Sequence, residues 1–107
     1  MKFDSMPVLE MLKKGVALVG EFRGSTVDVV PYVDKKTGQR THFNQCLYRV
    51  ELESSALPVL LSLSFEDGKE STLPQFKKGD VVAASLSEYE SVRGVIRGRV
   101  VSIIKVG

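Results

Sequence analysis

From Val16 onward the chain is written in short runs of β-branched and aromatic residues, each closed by a cluster of turn residues. No such run carries the three-to-four-residue apolar repeat of a long helix. Residues 16–23 and 26–33 flank Gly24-Ser25, and Asp34-Lys35-Lys36-Thr37-Gly38 forms a loop. Residues 45–52 resume a strand with Tyr48, Val50 and Leu52 on one face and Arg49 and Glu51 on the other. Residues 59–65 alternate Leu61, Leu63 and Phe65 with Ser62 and Ser64, and end at Glu66-Asp67-Gly68-Lys69. A connection containing Pro74 runs to Lys77-Lys78-Gly79-Asp80. Residues 81–89, a hairpin tip at 91–94 and residues 95–106 follow. Six short predicted strands with almost no helix point to a small antiparallel barrel or sandwich.

At 107 residues and 43% hydrophobic content the chain suits one domain over residues 1–107, with one continuous core. Residues 1–15 form an extension with the only helical signals: Ser5 as cap, Pro7 in the first turn, Val8, Leu9, Met11 and Leu12 at helical spacing, and Gly15 as C-cap. No uncharged run approaches the roughly 20 apolar residues of a membrane-spanning helix. Asp4 and Glu10 interrupt the place where a secretory signal would need an apolar core. Cys46, the single cysteine, cannot build an intrachain disulfide and suits a reducing compartment. Together these predict a soluble, cytoplasmic protein.

The charge is small in sum and uneven in place. Against a net +2, residues 35–50 hold Lys35, Lys36, Arg40 and Arg49 with no acid, and residues 91–107 hold Arg93, Arg97, Arg99 and Lys105 with no acid. Most acids fall in residues 51–90. Taken singly, a Lys or Arg on a solvent-facing strand more often only keeps an edge soluble and unpaired. The segregation is what favours a partner, because two acid-free basic segments can line a groove that follows a phosphate backbone. Aromatics are interleaved with them: Tyr32 precedes Lys35, Phe43 and Tyr48 flank Cys46, and Tyr89 precedes Arg93. Tyr48 alternates with core residues. Phe43, beside the loop, is the candidate for stacking on bases, a contact worth roughly 1–3 kcal/mol each.

Little else in the sequence carries chemistry. His42 and Cys46 lie four apart, on one face of either a helix or a strand, and are the only conceivable nucleophilic pair. No HxxxH, CxxC or carboxylate cluster supplies metal ligands, and no glycine-rich nucleotide loop is present. Glu66-Asp67, and Glu88 with Glu90, are paired acids whose ordinary explanation is a solvated strand end or face. The expectation is a protein that binds rather than catalyses, without cofactor or metal.

The segment Asn-Gln-Cys-Leu-Tyr-Arg-Val-Glu-Leu at residues 44–52, followed by Pro-Val-Leu-Leu-Ser-Leu-Ser-Phe-Glu-Asp-Gly at residues 58–68, resembles the gene V single-stranded DNA-binding (helix-destabilising) proteins of filamentous phages. The likeness continues through Leu86-Ser87-Glu88-Tyr89 and the hairpin at Gly94 into a basic last strand, covering roughly the last two thirds of the chain. It implies a five-stranded, OB-fold-like antiparallel barrel with a protruding hairpin. It also implies a two-fold homodimer built partly from residues 89–96, and cooperative coating of single-stranded DNA during phage or mobile-element replication. The family's DNA-contacting loop base, the aromatic before the Asn and the hairpin tip map onto Lys36, Phe43 and Arg93. Arg49 stands where the family has a tyrosine, Ser62 stands where it has a lysine, and the tip aromatic has no counterpart.

The expected function is therefore non-sequence-specific binding of single-stranded DNA, with RNA left open as a competitor. The expected binding residues are Lys35, Lys36, Arg40, Phe43, Arg49, Arg93, Arg97 and Arg99. The alternative is a small β-barrel module that binds protein and no nucleic acid. Arg97 and Arg99 are two apart and project from one face of their strand, which leaves Ile96, Val100 and Ile104 to turn toward the core.

Overall fold

Period-two alternation decides which side of each strand is buried. In the computed structural model, which describes residues 16–52 and 58–107, Cys46, Tyr48 and Val50 of one strand and Val59 and Leu61 of the next are buried while Arg49 between them is exposed. The predicted N-terminal helix lies outside the described residues. Among the described residues five strands form, β1 (Val16–Val33), β2 (Arg40–Glu51), β3 (Pro58–Phe65), β4 (Val81–Val92) and β5 (Val95–Lys105), with one 3-10 turn at Glu70–Thr72. They hydrogen-bond in the order β1-β2-β3-β5-β4, and β4 returns to β1, so the sheet closes on itself with the strand order of an OB-like barrel.

The first two predicted strands are one. Gly24-Ser25 reads as a turn, yet β1 runs 18 residues through it. Phe22 pairs with Val50 and Gly24 with Arg49, so Arg23 is an extra residue in a bulge. Gly24 holds φ +152°, and a Cβ there would lie 2.6 Å from Nη2 of Arg49. The glycine therefore bends the strand instead of ending it. The bend lets β1 pair first with β4 (Val16 to Glu21) and then with β2 (to Val33).

One contact departs from the antiparallel expectation. β3 and β5 run parallel, with Val59 opposite Ile96 and Ser62 opposite Arg99. An odd number of strands cannot alternate direction around a ring, so one parallel seam is unavoidable. The sequence supplies it by sending residues 66–80 across the end of the barrel before β4 begins.

The core gathers Phe22, Tyr48, Val50, Val59, Leu61, Leu73, Val82, Leu86, Val100 and Ile103. Val81, Ala83 and Val106 form a smaller second cluster with Ala17 and Val19, so β4 from Val81 to Ala84 is buried on both faces, and Ser85 beyond it is paired with the Ser102 hydroxyl at 2.9 Å. Ile104, expected in the core, is 37% exposed. Leu86 pairs with Val100 and Ser85 with Ser102, so Val101 is an extra residue that reverses the alternation of β5 after Val100.

Tyr48 fastens the crossing segment to this core. Its ring packs with Phe22 and Phe76 at centroid distances of 6.2 and 5.9 Å, and its hydroxyl donates to the carbonyl of Pro74 at 2.8 Å. Burial pushes the phenol's pKa well above its ordinary value, and the hydroxyl stays a donor. Tyr48→Phe should keep the packing and leave the Pro74 carbonyl without this donor, costing about 1 kcal/mol. That corresponds to a melting temperature roughly 5 °C lower by calorimetry for a domain of this size. An unchanged melting temperature would contradict this role.

Candidate functional site

Reading the pairing across β2, β3, β5 and β4 gives two transverse rows on the outer face. One is Arg49, Leu60, Arg97, Glu90, and the other is Leu47, Ser62, Arg99, Glu88. Neighbouring strands lie about 4.8 Å apart, so Arg49 and Arg97, two strands apart, stand roughly 10 Å from each other at the backbone. A groove of ≈ 450 Å³ lies over these rows, apolar at Leu47 and Leu60 and polar at Gln45, Ser62, Arg97 and Arg99. Arg49 is laid toward β1, its guanidinium filling the space a side chain at Gly24 would take.

The same face continues onto the β1–β2 ribbon, which extends past the region where β3 and β4 pair with it. Phe43 opposes Val30, and Tyr32 opposes Thr41. The Tyr32 and Phe43 rings sit 5.8 Å apart at a 53° tilt, 46% and 41% exposed. Two open aromatic faces therefore stand in line with the arginine rows. Tyr32, absent from the expected set, shares this face with Phe43, and the sequence carries the signal for it: a six-residue loop after Val33 fixes the β1–β2 register that brings the two rings together.

The structure sorts the predicted residues into three groups. Phe43, Arg49, Arg97 and Arg99 share the outer face. Lys35 and Lys36 lie in the turn at the ribbon's end, shaped by Asp34, whose carboxylate accepts from the Lys36 N–H at 2.8 Å and whose carbonyl accepts from the Gly38 N–H at 2.7 Å. Arg93 occupies the other tip. It pairs with Gly94 in a two-residue turn between Val92 and Val95, with φ +51° and +78°, the doubly left-handed form that favours Asn-Gly. Arg40 departs from the rest. It opposes Val33 and shares its parity with His42 and Asn44, on the other side of the ribbon from Phe43.

The larger omission concerns the acids. Glu88 stands opposite Arg99 and Glu90 opposite Arg97. The Arg99 Nη1 lies 4.0 Å from the Glu88 carboxylate, both side chains being well exposed. Arg23, on β1, is similarly held by Glu51 at 3.1 Å. Among the described residues, Lys35, Lys36, Arg40, Arg49, Arg93 and Arg97 form no ion pair.

His42 and Cys46 lie on the opposite parity from Phe43. His42 Nε2 donates to Asp67 at 2.9 and 3.1 Å, and burial pushes the Cys46 thiol above its ordinary value, away from the thiolate form a nucleophile needs. Among the described residues no three His, Cys, Asp or Glu converge as a metal site, and no helix is long and apolar enough to cross a membrane. Compared with known protein families, with curated proteins and with solved structures, the chain matches none.

Asp67 ties the β3 turn to β2. The amide of Asn44, a buried residue, donates to its carboxylate at 2.7 Å and His42 donates beside it, and these two hydrogen bonds hold the carboxyl below its usual range. A carboxylate with a lowered pKa stabilises the fold fully above its unfolded value of about 4 and loses that contribution as pH falls through the folded value. The stability gap between the parent chain and Asp67→Asn should therefore be constant near neutrality and narrow below about pH 4. Urea midpoints across that range measure it, and a gap that does not narrow on acidification would contradict the assignment.

Proposed function

We propose that this chain is a single-stranded DNA-binding protein of the gene V type. It acts by binding and not by catalysis, and it seats the strand across the outer face of β2, β3 and β5. The observation that carries the proposal is the shared face: Phe43 and Tyr32 stand exposed in line with Arg49, Arg97 and Arg99, bounded by the two turns that hold Lys35 and Lys36 at one end and Arg93 at the other. In OB-type barrels this face, between the β1–β2 and β4–β5 loops, is the one used for oligonucleotides. Rings that accept any base and cations that neutralise phosphates give affinity with little dependence on sequence.

The strand sits where stacking and phosphate contacts coincide, running from the aromatic ribbon along the arginine rows. Arg40 faces away and contributes at longer range. The proposal includes a cytoplasmic setting, where Cys46 remains a thiol, cooperative coating of the strand during replication, and a homodimer formed through the β4–β5 hairpin. Tyr89, 65% exposed on that hairpin, supports the dimer, because so large an exposed ring on a protruding strand favours a partner surface.

Anisotropy titration of a single-stranded oligonucleotide at several salt concentrations tests this function. Neutralisation of about five phosphates gives a log–log slope near −3.5, and Arg97→Ala with Arg99→Ala makes it shallower by up to about 1.4. The protein alone should sediment at the mass of two chains at micromolar concentration. Absence of binding, or binding indifferent to salt, would overturn the proposal, and a one-chain mass would overturn the dimer.

A further inference from the structure

The groove holds acids that a phosphate track does not need. Glu88 and Glu90 line it together with Arg97 and Arg99, each acid directly across from one arginine. Carboxylates beside a phosphate path repel it, so on phosphate binding alone they only weaken the site. A bound cation does not account for them either, since no third ligand joins them among the described residues. The Arg99–Glu88 gap of 4.0 Å, with both side chains more than half exposed, is a loose pair whose members can each take another partner.

A base edge is such a partner. A guanidinium and a carboxylate side by side offer donors next to acceptors, and the bases differ in how well they complement that order. Guanine presents O6 and N7 as acceptors, then N1–H and the N2 amine as two adjacent donors, so it can engage an arginine and a carboxylate at once. Cytosine and adenine each bring a single exocyclic amine to the carboxylate. Thymine brings only N3–H, flanked by two carbonyl oxygens that the carboxylate repels. Leu47 and Leu60 give the ring an apolar face to lie against, and ≈ 450 Å³ is ample space for a purine. Resting on the nucleic-acid reading above, we infer that Glu88 and Glu90, acting with Arg99 and Arg97, make the groove select guanine over thymine. The backbone and stacking contacts stay indifferent to sequence, and the selectivity is a local one superimposed on them.

The test compares an oligothymidine with an alternating thymidine–guanosine oligomer of equal length, in lithium salt so that guanine quadruplexes do not form. The parent protein should bind the guanine-containing strand about fivefold more tightly, the lower end of what a bidentate base contact supplies. E88Q with E90Q should remove that preference and tighten oligothymidine binding, because two negative charges leave the groove. Hypoxanthine in place of guanine, which lacks the N2 amine, should reduce the preference with the protein unchanged, so the inference does not depend on how the variant folds. Equal affinity of the parent for both strands, or a preference that survives both changes, overturns the inference and leaves single-strand binding intact. Failure of the parent protein to bind either strand overturns the nucleic-acid reading and this inference with it.

Discussion

The parallel pairing of β3 with β5 is the contact on which the rest of this fold depends. It closes a ring of five strands that alternation alone would leave open, and it is brief, running only from Val59 opposite Ile96 to Ser62 opposite Arg99. Because it is parallel, Arg97 and Arg99 lie beside Leu60 and Ser62 in equal register, and β2 on the far side of β3 brings Arg49 and Leu47 into the same rows. The price is a crossing segment between β3 and β4. Tyr48, through Pro74, and the Phe22–Phe76 contact at 5.5 Å anchor that segment to the core.

The electrostatics of the outer face follow from the same pairings. A basic β5 sits between a nearly neutral β3 and an acidic stretch of β4, so cations that would repel one another on a uniform surface are interleaved with Leu60, Ser62, Glu88 and Glu90. The small net charge of +2 is therefore a sum over a patterned face and says little about local fields. The ribbon's opposite side carries a different chemistry, the Asp67 carboxylate drawn to His42 and Asn44, which fixes the β3 turn against β2 at the base of the ribbon.

Much of this was legible from the residues. The alternation of Tyr48 and Val50 against Arg49, and of Leu61 against Ser62, gave strand identity and core face directly, and the turns at Lys35, Gly68, Gly79 and Gly94 bounded the elements. What stayed hidden depended on register. Gly24-Ser25 has the composition of a turn, and only the partners on both sides of β1 reveal it as a bend in a continuous strand. Bulges at Ser87 and Val101 cancel in register yet displace Ile104 from the core, and neither residue type announces a bulge. The Glu88–Arg99 and Glu90–Arg97 oppositions were recoverable, since a two-residue turn at Arg93-Gly94 fixes them by counting outward from the tip. Arg40 belongs to the acid-free basic segment that holds Lys35, Lys36 and Arg49, and segment charge alone does not show that strand parity turns it away from Phe43.

The central claim is that one face, and not the barrel at large, receives a single strand. Amide shift mapping by nuclear magnetic resonance on addition of a short single-stranded DNA tests this most directly. The account predicts the largest changes at Phe43, Leu47, Ser62, Arg97 and Arg99, fading toward Val81, Ala83 and Val106 on the other side of the barrel. Changes concentrated at Val81, Ala83 and Val106, with β2, β3 and β5 undisturbed, would contradict it.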